Sequence, residues 1–165
     1  MKRIILICGG IIGILLSING IVVINILYSN PEFKGNDLVG YTIMVAMFSL
    51  IYFGVRNYRN NHLGGKINFL RALKIGALIC LIASTIYTVL GLGYYHFFAP
   101  DFIDVYAEHV IKNTAPDQVE AVTTQMANFK EMYKNPLFAI FITYLEVLPV
   151  GMIVALISAL IVRRK

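Results

Sequence analysis

Residues 141–165 read FITYLEVLPVGMIVALISALIVRRK. Up to Val162 the stretch is apolar apart from Glu146 and a few hydroxyls, and it stops on Arg163, Arg164 and Lys165. A hydrocarbon core about 30 Å thick needs about 20 helical residues to cross it. This run is long enough, and a basic cluster at one end is how a spanning helix meets a membrane surface. Segments 4–28, 38–55 and 75–95 have the same character. With 137–162 they predict an all-α membrane protein, four transmembrane helices in one compact bundle and a single domain over 1–165. None of the four alternates apolar and polar residues as a barrel strand does, which excludes a transmembrane β-barrel.

Composition agrees with this. Of 165 residues, 58% are hydrophobic and 14% charged, where a soluble domain carries about 25% charged residues. The charges also fix an orientation. With both termini in the cytoplasm, Lys2, Arg3, Arg56, Arg59, Lys66, Arg71, Lys74, Arg163, Arg164 and Lys165 lie inside, and Lys34, Lys112, Lys130 and Lys134 lie outside. Basic residues concentrated on the inner side are the rule for such proteins. Glu32, Asp37, Asp101, Asp104, Glu108, Asp117, Glu120 and Glu131 all fall outside. The net charge of +5 is therefore a topological signal, not a mark of nucleic-acid binding. The first apolar run is about twice a secretory h-region and no A-x-A-like site follows, so it reads as an uncleaved helix.

Small residues recur every fourth position in three of the helices. Gly9, Gly13 and Ser17 do so in the first, Ala72, Gly76, Cys80, Ser84 and Thr88 in the third, and Gly151, Ala155 and Ala159 in the fourth. Such stripes let helix backbones approach closely in lipid. They face either a sister helix or a second copy of the chain. The two cysteines, Cys8 and Cys80, are too far apart for a CxxC pair or a metal motif, and read as small buried hydrophobes.

The loop RNYRNNHLGGKINFLRALK contains GGKI, which lacks the spacing and the Ser or Thr of a phosphate-binding loop. Its basic residues Arg56, Arg59, Lys66, Arg71 and Lys74 are candidate contacts for anionic lipid headgroups, or else serve topology alone. On the other side, 96–136 is predicted as a helical extracytoplasmic segment. Phe102, Val105, Tyr106 and Val110 follow helical spacing, as do Val119, Val122, Met126, Phe129 and Tyr133. Thr114 and Asp117 fit a cap for the second of these helices. The pair either covers the bundle or lies along the membrane.

An ionisable residue in a spanning helix is a functional hypothesis. Glu146 lies 17 residues before Arg163, about 25 Å along the helix, which places it in the outer part of the membrane. Pro149 cannot donate to the Leu145 carbonyl and loosens the helix beside it. The candidate intramembrane polar site is Glu146, Thr143 and Pro149, with Asn19, Asn25 and Tyr87 from other helices. Tyr28, Thr42, Tyr94, Tyr95 and His96 are further neighbours able to hydrogen-bond. Glu146 either locks helices together or binds a proton, cation or cationic substrate. His62, His96 and His109 have no metal spacing, and no serine sits in a nucleophile elbow. No enzyme, metal or cofactor is expected.

Four blocks, FGVRNYR, GGKINFLRALKIG, FFAPDFIDVYAEH and YKNPLFAIFITYLEVLPVGMIVALISALIVRRK, together resemble a family of small bacterial membrane proteins. It is catalogued as domain of unknown function forty-one ninety-nine. The resemblance implies a four-helix integral membrane protein with a long loop between the third and fourth helices, and implies no activity. The expected role is an accessory or interaction protein of the bacterial inner membrane, in contact with lipids and with a membrane protein partner or further copies of itself. The alternative is a small oligomeric proton- or cation-coupled transporter using Glu146.

Overall fold

The computed structural model describes residues 1–30, 33 and 36–164, without the Asp37 side chain. The charges of Glu32, Lys34, Asp37 and Lys165 thus lie outside the described residues. Every element among those described is an α-helix: α1 (Lys2–Ser29), α2 (Asp37–Phe48), α3 (Leu50–His62), α4 (Phe69–Phe98), α5 (Phe102–Lys112), α6 (Val119–Tyr133) and α7 (Pro136–Val162). Four stretches are long and apolar enough to cross a membrane: Lys2–Ser29, Leu38–His62, Phe69–Phe98 and Pro136–Val162. Three of them start at an asparagine. The side chains of Asn36, Asn68 and Asn135 accept backbone N–H bonds at the heads of α2, α4 and α7, donors that a helix start otherwise leaves unpaired.

The second span is α2 and α3 joined at Ser49, whose Oγ donates to the Ala46 carbonyl at 2.6 Å. The Tyr52 N–H reaches back to Ser49 O at 3.0 Å, a local tightening to i−3 bonding that interrupts the helix without reversing it.

All three small-residue stripes are used inside the chain. A Cβ built on Gly9 would lie 2.8 Å from Ile82 Cβ and 3.0 Å from the Ile79 carbonyl oxygen. On Gly13 it would lie 2.7 Å from Ile86 Cβ. These partner numbers rise together, so α1 and α4 run parallel. The other face of α4 meets α7: Gly76 faces Ala155, and Gly151 faces Cys80 and the Phe48 ring. Here one number falls as the other rises, so α4 and α7 are antiparallel. Continued helical register sets Ser84 level with Val147 and Thr88 with Thr143. Phe48, Ile51, Ile75, Ile79 and Val147 fill the middle with no exposure.

The start of α1, the 63–68 loop and the end of α7 share one end, the basic end. The Ile67 N–H bonds Arg164 O and the Arg164 N–H bonds Ile67 O, each at 3.0 Å. At the other end α5 packs on α1 and α6, and α6 packs on α7, so the pair covers the bundle. The expected α5 stripe turns out rotated. Ile103 and Ala107 are buried, while Phe102, Val105 and Val110 are half-buried and Tyr106 is exposed. The helix is wedged between α1 and α6 and not laid on a flat surface. Thr114 does not cap α6. Its hydroxyl donates to the Val110 carbonyl at 2.7 Å and closes α5 instead, and α6 begins after Gln118 with no side-chain cap. A hydroxyl bonding four residues back is a competing local choice for threonine.

Candidate functional site

Glu146 lies ten residues into α7, about 15 Å from its start, near the cap. Its side chain is on the exposed flank of the helix and makes no hydrogen bond among the described residues. Its charge reaches Tyr87 on α4 and Tyr133 on α6. Tyr87 packs on α1, where a Cβ on Gly20 would meet its Cε2 at 3.3 Å. Thr143, one turn before Glu146, is buried and donates to Ala139 O at 2.8 Å, with the Tyr133 phenol beside it. Helix α7 continues unbroken through Pro149, which is itself exposed.

The predicted cluster is therefore only partly assembled. Thr143, Glu146 and Tyr87 come together; Asn19 and Asn25 do not join them. Asn25 donates to Ile21 O at 2.8 Å and to Tyr94 OH at 2.9 Å, tying α1 to α4. Asn19 is half-buried and makes no side-chain hydrogen bond among the described residues. His96 is exposed with its ring edge-on to Phe97. Thr42 bonds its own helix at Leu38 O, and the Tyr28 hydroxyl donates to Asp101 Oδ1 at 2.6 Å.

Tyr133 was missed as a site residue, being read only as part of an amphipathic stripe. Its ring packs edge-on to Tyr95 and Phe138 and tilted on Phe129, at 5.3–6.5 Å between centroids. Burial raises its phenol pKa above the ordinary tyrosine value. The Thr143 hydroxyl pulls the other way, and Tyr95 and Glu146 add to the rise. Ser84 and Thr88 were read as packing residues only. The Thr88 hydroxyl is buried in the α4–α7 seam without a partner among the described residues, whereas the Ser84 hydroxyl lies beside the Cys80 thiol, which donates to Leu148 O at 3.6 Å. On the opposite flank Thr85 Oγ1 and Tyr144 OH lie 2.6 Å apart.

Residues 7–164 match the family described as "Protein of unknown function (DUF4199)". The chain belongs to DUF4199. Searches of the curated proteins and of the solved structures returned no match. What this DUF4199 chain offers chemically is a carboxyl group on the exposed flank of a membrane helix, within electrostatic reach of the Tyr87 and Tyr133 phenols. It can accept hydrogen bonds or pair with a cation brought from outside. Among the described residues no three His, Cys, Asp or Glu side chains gather to hold a metal.

At the basic end the five candidate headgroup contacts divide. Arg56, Lys66, Arg71 and Lys74 are exposed. Arg56 and Arg71 sit over the rings of Tyr52 and Tyr58, at 6.0 and 5.9 Å from the centroids. Arg59 is not at the surface. It is 9% exposed and donates to Val162 O and Asn60 Oδ1, both at 2.9 Å.

Proposed function

We propose that this multi-pass membrane protein is an accessory subunit of the bacterial inner membrane, with both termini in the cytoplasm and the α5–α6 cap outside. The separation of charge along the bundle supports the orientation. Lys2, Arg3, Arg56, Arg59, Lys66, Arg71, Lys74, Arg163 and Arg164 gather at one end, and Asp101, Asp104, Glu108, Asp117, Glu120 and Glu131 at the other. Basic residues favour the cytoplasmic side.

One observation carries the accessory role: Glu146 is exposed at membrane depth, on a bundle whose interior is filled by its own side chains. A carboxyl facing lipid is costly unless something pairs with it. A partner helix presenting a lysine, arginine or amide at that depth would do so. The small-residue stripes are already occupied within the chain, so self-association through them is not the favoured route.

Purification from native membranes in mild detergent, followed by mass spectrometry of the intact assembly, tests this. The expected result is a stoichiometric foreign membrane protein bound to the wild type and lost in Glu146→Gln. A homo-oligomer with no foreign partner overturns it. That outcome favours the carrier reading, which draws on the buried Thr88 hydroxyl, without a partner among the described residues, in the seam beside Thr143 and is tested by proton flux in proteoliposomes.

A further inference from the structure

We propose that the basic cluster around Arg59, where that side chain bonds the end of α7 beside the joined 63–68 loop and C-terminal segment, binds the phosphate headgroup of an anionic phospholipid. Arg59 is more than nine-tenths buried, yet its two hydrogen-bond acceptors are a neutral carbonyl and a neutral amide. It pairs with no carboxylate among the described residues, whose acids other than Glu146 lie at the cap end. A buried cation is normally matched by an anion. Arg59 lacks one.

The surroundings repeat the deficit. Lys66, Arg71, Arg163 and Arg164 are exposed at the same end. Topology alone requires basic residues on this side of the membrane and does not require them to be together. They are together because Ile67 and Arg164 exchange two backbone hydrogen bonds. The loop is folded back by Gly64 and Gly65, whose φ angles of 57° and 85° are left-handed, a conformation glycine adopts without steric cost. That turn lets the Gly65 N–H bond Arg59 O at 3.1 Å. Arg71 is held over the Tyr58 ring and donates to its hydroxyl at 3.4 Å, while His62 stacks on that ring at 5.0 Å.

Depth and chemistry fit a lipid phosphate. Arg59 is three residues from the end of its span at His62, at the level where headgroups begin. Guanidinium groups grip phosphate oxygens with two parallel bonds, and lysines add point charge. Inorganic phosphate presents similar oxygens and is the competing source. The basic end lies at the far end of α7 from Glu146 and does not depend on it.

The test is native mass spectrometry of the full chain in detergent micelles doped with equal phosphatidylglycerol and phosphatidylcholine. The wild type is expected to retain phosphatidylglycerol in preference to phosphatidylcholine. The triple variant Lys66→Gln, Arg71→Gln, Arg164→Gln should lose it about a hundredfold, while Lys2→Gln, Arg3→Gln, at the start of α1, should retain it. Equal loss in both variants, or no preference in the wild type, overturns the site. Displacement of the lipid by inorganic phosphate at equal concentration overturns the lipid assignment. Should the triple variant unfold on heating far below the wild type, Lys66→Gln alone carries the test, with about fivefold loss expected and no loss overturning the proposal.

Discussion

The α4–α7 seam and the α5–α6 cap are both helix contacts, yet opposite means hold them. In the seam, glycine, alanine and cysteine bring backbones close enough that an added Cβ at Gly151 would collide with Cys80 Sγ. In the cap, no residue of α6 is fully buried, and half-exposed aromatic rings make the contact. Lipid gives two apolar helices no hydrophobic reason to associate, so dispersion and close approach must hold them. Outside the hydrocarbon, water restores that drive, and large rings buried only in part are enough.

The largest effect expected from this contrast is at Gly151. Gly151→Ala forces a methyl group against Cys80 and Phe48 and should destabilise the bundle by about 3 kcal/mol, read by unfolding in detergent. Gly91→Ala is the counterpart, because nothing lies within 4 Å of its built Cβ. It should be neutral or stabilise by about 0.5–1 kcal/mol. Equal effects at the two positions would break the distinction between seam and open helix surface.

Tyr133→Ala comes next. It removes ring contacts with Tyr95, Phe129 and Phe138 and should loosen the cap by about 2 kcal/mol, taking about 0.5–1.5 kcal/mol per aromatic pair. Hydrogen exchange should quicken across α5 and α6 and stay unchanged in the α4–α7 seam. The same residue gives the cap a pH limit. Its raised pKa means that folding favours the neutral phenol. That contribution is fully present below the ordinary tyrosine pKa of about 10 and is lost as pH rises through the higher folded value. Alkaline titration followed by exchange should therefore undock the cap, and Tyr133→Phe should weaken that dependence, the Tyr28 phenol bonded to Asp101 supplying the remainder.

Smaller effects sharpen the comparison further. Glu146→Gln should change the stability of the isolated protein by less than about 0.5 kcal/mol, as for a surface substitution away from packing and hydrogen bonds. A large loss in thermal unfolding would make Glu146 a structural lock. Least of all, Lys130→Met removes the ion pair with Asp104 across α5 and α6. Both partners are largely solvated, so the change should be visible only at low salt and vanish as ionic strength rises.

Much of the cap was half-legible. The apolar spacing in 102–110 and 119–133 announced two helices, but not which residues face inward, because α5 is gripped on two sides. The aspartate three residues after Thr114 resembled a capping pattern, and the chain used the threonine to end the preceding helix. Asn135 before Pro136 was a readable helix start that went unread, as were Asn36 and Asn68. In the candidate site, Glu146, Thr143 and Tyr87 were found by depth in their helices. Depth cannot tell which face a residue occupies relative to its neighbours, which is why Asn19 and Asn25 were included, while Tyr133, on the outer segment and not in a span, gave no depth at all.

The sequence by itself determined the class of molecule, because crossing a hydrocarbon layer demands long apolar helices and leaves its polar punctuation in plain view. It also announced small-residue stripes. Only the tertiary structure decided that these stripes meet one another within a single chain, that Glu146 is left facing outward, and that Arg59 is buried with no carboxylate partner among the described residues. Those outcomes depend on helix rotation and pairing, which turn on contacts between residues far apart in the chain, and no local periodicity encodes them.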